Sequence, residues 1–214
     1  MKIFRGVSIL VLILFLSYFN LSAQDNLYKN QIKFTPGKIF HVYYSGLEFS
    51  YQRNYYKYAT EISFTRIMNT QYPAVAISIP SNKGYKLQLE QKFFGTPSYF
   101  KSIEIKPYYA INTSYSQLLG REGISVFTPY EGHSIADVRK DFFCLNGILG
   151  WDMQYKHLIV NAYLGLGIKH EIITYDNLPK NSSPYNTEWL FLNINPGHYW
   201  CPNILGNIKI GYAF

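Results

Sequence analysis

Apolar and polar residues alternate with a period of two along most of the chain after residue 30, a pattern typical of strands with one apolar and one polar face. The run from Leu158 to Glu171 shows this pattern most clearly. One of its faces carries the apolar residues Val160, Ala162, Leu164, Leu166 and Ile168. The other face carries small, polar or charged residues and one tyrosine: Asn161, Tyr163, Gly165, Gly167, Lys169 and Glu171. We therefore expect an all-β fold.

Eight runs of this kind define eight predicted strands. In chain order they cover residues 32–44, 47–52, 61–65, 85–93, 102–115, 141–155, 158–171 and 203–214. The first run is the least regular, because Pro36 and Gly37 interrupt it.

The connections between these runs differ in length. Four are tight or short, at Ser45–Gly46, 54–57, 95–101 and 156–157, and three are long, at 69–84, 116–140 and 173–202. Transmembrane barrels combine an even number of strands with short periplasmic turns and long outer loops. The pattern predicts an eight-stranded antiparallel up-and-down transmembrane β-barrel, with both ends of the chain on the periplasmic side.

The first 23 residues have the organisation of a cleaved secretory signal peptide. Lys2 and Arg5 precede an apolar run at Val7–Phe19, and the small residues Ser22 and Ala23 follow it. This run is too short to span a bilayer, which takes about 20 apolar residues. We therefore divide the chain into a signal peptide at 1–23 and a barrel domain at 24–214.

Composition favours a membrane barrel over a soluble one. Only 15% of the residues are charged and 18% are aromatic, including 21 tyrosines. A soluble barrel such as a lipocalin has its apolar face inside, and alternation alone does not decide which face points inward. Aromatic side chains near strand ends, however, are typical of the boundary between membrane and water. On the apolar face these are Tyr44, Tyr51, Tyr85, Tyr109, Tyr115, Trp151, Tyr155 and Tyr212.

Four segments carry a resemblance to a known group of proteins. They are 46–51 (GLEFSY), 106–110 (KPYYA), 162–167 (AYLGLG) and the ending 211–214 (GYAF), whose terminal Phe214 resembles the assembly signal of bacterial outer-membrane barrels. The chain resembles the small outer-membrane β-barrel proteins of Bacteroidota-type bacteria and, more broadly, the eight-stranded OmpA, OmpX and OmpW barrels. The resemblance implies location in the outer membrane of a Gram-negative bacterium, and it implies no catalytic residue.

The polar face of the predicted strands carries equal numbers of acidic and basic residues. The acids are Glu48, Glu61, Glu90, Glu104, Asp152 and Glu171. The bases are Lys33, Lys86, Lys92, Lys106, Lys169 and Lys209. An eight-stranded barrel is just wide enough inside for side chains to fill it, and buried charges must be paired. We expect a closed ion-pair network there; the alternative is a polar path for a small solute.

Few residues suggest chemistry. Glu131, His133 and Ser134 lie close together in a predicted loop and could supply an acid, a base and a nucleophile, but neighbours on a loop do not make a triad. His198 and Cys201 have the spacing of a metal clip, but two ligands are too few. We predict no catalytic, cofactor-binding or metal-binding residue.

The two cysteines, Cys144 and Cys201, are both expected near the outer rim and facing inward. One strand separates theirs, so their backbones should lie about 10 Å apart, beyond the reach of a disulfide unless a loop end folds inward. The sequence leaves open whether they are bonded.

These features predict a non-enzymatic, monomeric outer-membrane barrel with a structural or surface-interaction role. Its partners would be outer-membrane lipid and lipopolysaccharide, and a surface ligand or protein that contacts the long outer loops. The alternatives are a lipid-modifying hydrolase and a narrow channel for small solutes. The net charge of +7 is dispersed along the chain, so we predict no nucleic-acid partner.

We expect the signal peptide to be removed after Ala23, because small residues follow its short apolar core. N-terminal sequencing of the membrane-extracted protein should start at Gln24. A first residue near Met1 would show that the segment is retained.

Overall fold

A computed structural model describes residues 29–36, 46–68, 83–126, 132–176, 182–184 and 196–214, with the backbone alone at 121–126, 132–136 and 182–184. The predicted signal peptide and residues 37–45 of the first predicted strand lie outside the described residues. The described part contains ten strands. They are β1 (Asn30–Phe34), β2 (Gly46–Asn54), β3 (Tyr58–Ile67), β4 (Lys83–Phe94), β5 (Ser98–Phe100), β6 (Ile103–Val126), β7 (Gly132–Tyr155), β8 (Leu158–Asp176), β9 (Ser182–Pro184) and β10 (Gly197–Ala213).

Eight of these strands form a closed antiparallel ring in the order β1-β2-β3-β4-β6-β7-β8-β10. Each strand of the ring pairs with the next one in the chain, and β10 returns to β1, with Ile32 opposite Tyr212. The two three-residue strands β5 and β9 lie outside the ring, and both pair with β6. The predicted all-β class and antiparallel pairing are confirmed.

The ring is staggered by ten residues. A path perpendicular to the strands, followed from pair to pair, leaves β10 at Asn203 and returns to it at Ala213. With a rise of about 3.3 Å per residue and a strand spacing of about 4.8 Å, this stagger gives a tilt of about 40° and a radius of about 8 Å. A ring of that radius has room inside for side chains only.

Alternate residues point into and out of the ring, as the period of two predicts. Contacts across the ring identify the inner face, since Gln52 on β2 reaches Asp152 on β7, the strand diametrically opposite, at 3.5 Å. Leucines on the predicted apolar face point outward, and Leu149, Leu164 and Leu166 are each more than two-thirds exposed.

Four predicted connections are wrong. The predicted loop 173–202 contains the end of β8, all of β9 and the start of β10. Gly46 lies in β2 opposite Ile67 rather than in a tight turn, because β1 ends at Phe34 and the backbone of Arg66 approaches Gly46 too closely for any side chain. Residues 98–100, expected in a short connection, form β5.

The largest difference lies in the predicted loop 116–140. There β6 runs on to Val126, opposite Gly132 of β7, so the two strands form a hairpin that extends beyond the ring. Strand pairing satisfies the backbone hydrogen bonds of this hairpin. Its sequence does not alternate between apolar and polar residues, so the period of two does not reveal these strands.

The two cysteines do not form a disulfide with each other, and both point inward. Cys144 on β7 and Cys201 on β10 each lie opposite Lys169 of β8. Two strand spacings of about 4.8 Å therefore separate them, more than the 4.4–6.8 Å between Cα atoms that a disulfide spans.

Ring closure can be tested by cross-linking β1 to β10. In a Cys144→Ser/Cys201→Ser background, we expect Ile32→Cys/Tyr212→Cys to form an intramolecular disulfide on mild oxidation, because directly opposed Cα atoms lie about 4.5–5.5 Å apart. The shift is read on non-reducing gels. The control Ile32→Cys/Leu158→Cys places its cysteines two strands apart and should stay reduced; equal cross-linking of both pairs would contradict the ring.

Candidate functional site in the interior of the ring

Three lysines meet around one carboxylate in the centre of the ring. Lys33 on β1, Lys92 on β4 and Lys209 on β10 are at most 1% exposed, and Glu61 on β3 is fully buried. Lys33 Nζ lies 3.1 Å and Lys92 Nζ 2.9 Å from Glu61 Oε2. Lys209 Nζ donates a short hydrogen bond to the other oxygen, Oε1. Glu61 is therefore the shared counter-ion of lysines from three strands.

Three further acids complete the buried charge set. Asp152 on β7 lies 3.7 Å from Lys33 and 3.9 Å from Lys92. Glu48 lies 3.6 Å from Lys209, and Glu90 lies 3.6 Å from Lys92. Each of the three lysines thus has at least two carboxylates within 4 Å, as burial of an ammonium group requires.

Neutral side chains join these charges into one network. The amide oxygen of Gln52 accepts hydrogen bonds from Lys33 at 2.6 Å and from Lys92 at 2.9 Å. Thr35 and Thr65 donate to the two oxygens of Glu48 at 2.8 and 3.0 Å. Hydrogen bonds of this kind offset part of the desolvation that buried charges undergo.

Two tyrosines close over the lysines. Lys92 Nζ lies 4.6 Å from the ring centre of Tyr108, and Lys209 Nζ lies 5.4 Å from that of Tyr163. Tyr108 crosses Gly150, where an added Cβ would lie 2.6 Å from the tyrosine ring, and accepts a hydrogen bond from Asn161 at 2.9 Å. Glycine on β7 thus allows a side chain of β6 to reach β8.

A chain of amides links this network to β10. Asn203 donates to Asn146 at 2.6 Å, Asn146 to Asn112 at 3.2 Å, and Asn112 to Glu90 at 3.3 Å. Gly167 lies on β8 between Asn203 and Asn146, and its missing side chain lets the two amides meet. The chain therefore spans five neighbouring strands of the ring, from β10 to β4, at one level.

The structure locates all twelve charged residues of the predicted polar face. Eight are buried: Glu48, Glu61, Glu90, Asp152, Glu171, Lys33, Lys92 and Lys209. Lys169 pairs with Glu171 at 3.2 Å, and Lys86 is half-buried. Glu104 and Lys106 form a separate, partly exposed pair at 2.9 Å near the short turns. Sequence reasoning missed Gln52, Tyr108 and the amide chain, although all of them lie on the charged face of their strands.

The candidate catalytic residues lie only in part within the described residues. Glu131 lies outside them, and the backbone of His133 and Ser134 belongs to β7 rather than to a loop. His198 is likewise three residues from Cys201 on β10 and points outward, where it stacks with His170 at 5.6 Å. Within the described residues, no three or more histidine, cysteine, aspartate or glutamate side chains are grouped to hold a metal ion.

Comparison with known proteins adds no relative: no family model, no curated protein and no solved structure matches the chain. Among the described residues, no helix has the length and apolar character to cross a membrane.

Removal of the shared carboxylate should destabilise the ring. We expect Glu61→Gln to lower the free energy of unfolding by about 3–5 kcal/mol, because it leaves three buried ammonium groups short of a counter-ion. Urea unfolding of the protein folded in detergent, followed by tryptophan fluorescence, measures the change. The control Glu104→Gln breaks a partly exposed pair and should cost less than about 1 kcal/mol. Equal losses would contradict the central role of Glu61.

A side chain at residue 150 should displace Tyr108. We expect Gly150→Ala to lower the free energy of unfolding by about 1–3 kcal/mol through overpacking, since its Cβ would approach Tyr108 Cζ to 2.6 Å and Ala162 O to 2.8 Å. Gly147→Ala on the same strand is the matched control, because its Cβ meets nothing closer than 3.9 Å. The same unfolding assay should separate the two variants.

Proposed function

We propose that the ring is a transmembrane β-barrel of the outer membrane of a Gram-negative bacterium, formed by residues 24–214 after removal of the signal peptide. The inverted polarity of the ring carries the proposal. Buried charges fill its inside, while large apolar side chains cover its outside. A soluble protein places these two classes the other way round, whereas a lipid-facing barrel requires this arrangement.

The outer face supports a lipid environment in detail. Aliphatic residues occupy the middle of the long strands, and Leu149, Leu164 and Leu166 are each more than two-thirds exposed. In water these residues would form an apolar patch far larger than soluble monomers tolerate. The outward-facing charges on the described strands lie towards the two ends of the ring: Arg53 near the short turns, and Arg66, Lys83, Asp137, Arg139, Asp141 and Asp176 towards the other end.

Aromatic side chains border this aliphatic band on both sides. Towards the short turns these are Tyr51, Tyr109, Trp151, Tyr155 and Tyr212, all more than two-fifths exposed. Towards the other end they include Phe143 and Trp200, which stacks on His170 at 4.5 Å. Two aromatic girdles of this kind mark the two interfaces of transmembrane barrels, and the strand tilt of about 40° lies within their usual range of about 35–45°.

The proposed role is non-enzymatic, either structural or in surface interaction. The interior favours it, since the central lysines and Glu61 are sealed from solvent and leave no opening between them. The connections β1–β2, β3–β4, β6–β7 and β8–β10 all emerge at the end opposite the short turns, and the β6–β7 hairpin projects there. This end would face lipopolysaccharide or a surface ligand.

The two alternative functions receive less support. A hydrolase would need an acid, a base and a nucleophile to meet in a loop, yet His133 and Ser134 are consecutive residues of strand β7. A channel would need a path past Lys33, Lys92 and Lys209, which are buried among the carboxylates of Glu48, Glu61, Glu90 and Asp152. Single-channel recording in planar bilayers should therefore show no discrete conductance for the wild-type protein; steady openings would favour the channel.

The location is tested by outer-membrane fractionation and by gel migration of unboiled and boiled samples. A closed membrane barrel should fractionate with outer-membrane proteins and change its mobility when boiled. A soluble protein with unchanged mobility would overturn the proposal.

The lipid-facing assignment predicts the effect of a charge on the outer face. We expect Leu164→Arg to lower the free energy of folding into lipid vesicles by about 2–4 kcal/mol more than Leu164→Ala, because the guanidinium would lie near the bilayer midplane. Reversible urea unfolding from vesicles measures both variants. Equal stability of the two would show that Leu164 does not face lipid.

A further inference from the structure

The three short turns lie at one end of the ring, and each has an aromatic residue followed by lysine. The pairs are Tyr56–Lys57 between β2 and β3, Phe100–Lys101 between β5 and β6, and Tyr155–Lys156 between β7 and β8. In each pair the lysine Nζ lies over the preceding ring, at 5.7, 5.7 and 5.6 Å from its centre. Because this pair recurs at three turns that are far apart in the sequence, we infer that the three pairs have a common function.

Two of these lysines occupy positions that their backbone disfavours. Lys101 and Lys156 each open a two-residue hairpin turn with positive φ, 54° and 52°. Glycine, asparagine or aspartate normally takes such a position, since a larger side chain crowds the backbone there. Turn geometry alone therefore does not account for lysine at either site.

The charges of these turns have no acidic partner within the part of the chain that the structure describes. Lys57, Lys101, Lys156 and the neighbouring Arg53 are exposed, and none forms an ion pair with a carboxylate of the described residues. Glu104 is the one acidic side chain described near these turns, and it is held by Lys106 at 2.9 Å and Tyr99 at 3.1 Å. The exposed charges described towards the opposite end are of both signs: Arg66, Lys83 and Arg139 are basic, and Asp137 and Asp176 are acidic. The short-turn end thus presents an unbalanced positive surface.

The aromatic residues place this surface at the edge of the apolar band. Tyr155 continues the outward series of Trp151 and Met153 on β7, and Phe100 lies opposite Ile103, whose side chain is on the outer face of β6. Phe100 is 62% and Tyr155 45% exposed. A ring at this depth with an ammonium group beside it suits the zone where acyl chains give way to headgroups.

We propose that the short-turn end, defined by Lys57, Lys101 and Lys156 with their rings, binds the phosphate groups of anionic phospholipids in the periplasmic leaflet. The inference rests on the proposed membrane location. Each ring holds its lysine along the outer wall, so that the ammonium group meets a headgroup at the rim of the band. The three turns lie apart around the ring, so each would contact a separate lipid.

The experiment compares lipid binding by matched double variants of the full chain. Lys101→Asn/Lys156→Asn removes two charges and keeps residues that tolerate positive φ, so folding should be preserved. Arg66→Gln/Lys83→Gln removes two charges from the opposite end and is the control. Each protein is folded into vesicles of phosphatidylcholine alone and of phosphatidylcholine with phosphatidylglycerol at 7:3, and spin-labelled lipids report the relative association constant for phosphatidylglycerol.

We expect the wild type and the control to prefer phosphatidylglycerol, and 1 M NaCl to weaken that preference. The turn variant should lose up to about fivefold in relative association constant per lysine removed, as about 1 kcal/mol per surface charge implies. An unchanged preference in the turn variant, with heat-modifiable migration retained, would overturn the lipid assignment alone. Weaker binding of soluble polyglutamate by the turn variant, with its lipid preference intact, would instead assign the surface to a polyanion. Failure of every protein to enter vesicles would reject the membrane proposal itself.

Discussion

The rest of the structure depends on one interaction, the buried ion pairs that Glu61 forms with three lysines. A ring with a radius of about 8 Å leaves no room for bulk water inside, so every inward charge must find its partner among other side chains. Lys92, Lys33 and Lys209 come from strands that are one, two and three positions away from β3 around the ring, respectively. Their convergence on one carboxylate ties these strands together at the centre, where the interior would otherwise consist of uncompensated charge.

The stagger of the strands decides which inward residues can meet. A displacement of ten residues around the ring brings Asp152 to the level of Gln52, which is 100 positions away in sequence. Small residues complete the arrangement, since Gly150 lets Tyr108 reach Asn161 and Gly167 lets Asn203 reach Asn146. The interior thus combines long side chains that cross it with glycines over which they pass.

Local pattern predicted which way each strand faces, but not how the strands meet. The period of two assigns Glu61 and Lys209 to the polar face, because uncharged apolar residues alternate with them along their strands. Their pairing depends on the register around the whole ring, which no local pattern encodes. Alternation also does not reveal every strand. Residues 120–126 and 132–137 pair as strands although their sequence does not alternate between apolar and polar residues. The sequence predicts a turn at Gly46, but glycine is required there because the backbone of Arg66 lies so close.

The pairing of β1 with β10, the seam that closes the ring, has a consequence for how the ring opens and forms. Among the described residues, β1 has five residues and only four of them are in register with β10, whereas β7 and β8 share a ladder of 19 pairs. The seam also joins segments about 180 residues apart, so its contacts carry the largest loop-closure entropy and form after the local hairpins. Amide protons along the seam would therefore exchange with solvent sooner than those of the β6–β7 hairpin. Closure of the ring would end with the meeting of β1 and β10, and until then the pairing edge of each strand stays open to another strand.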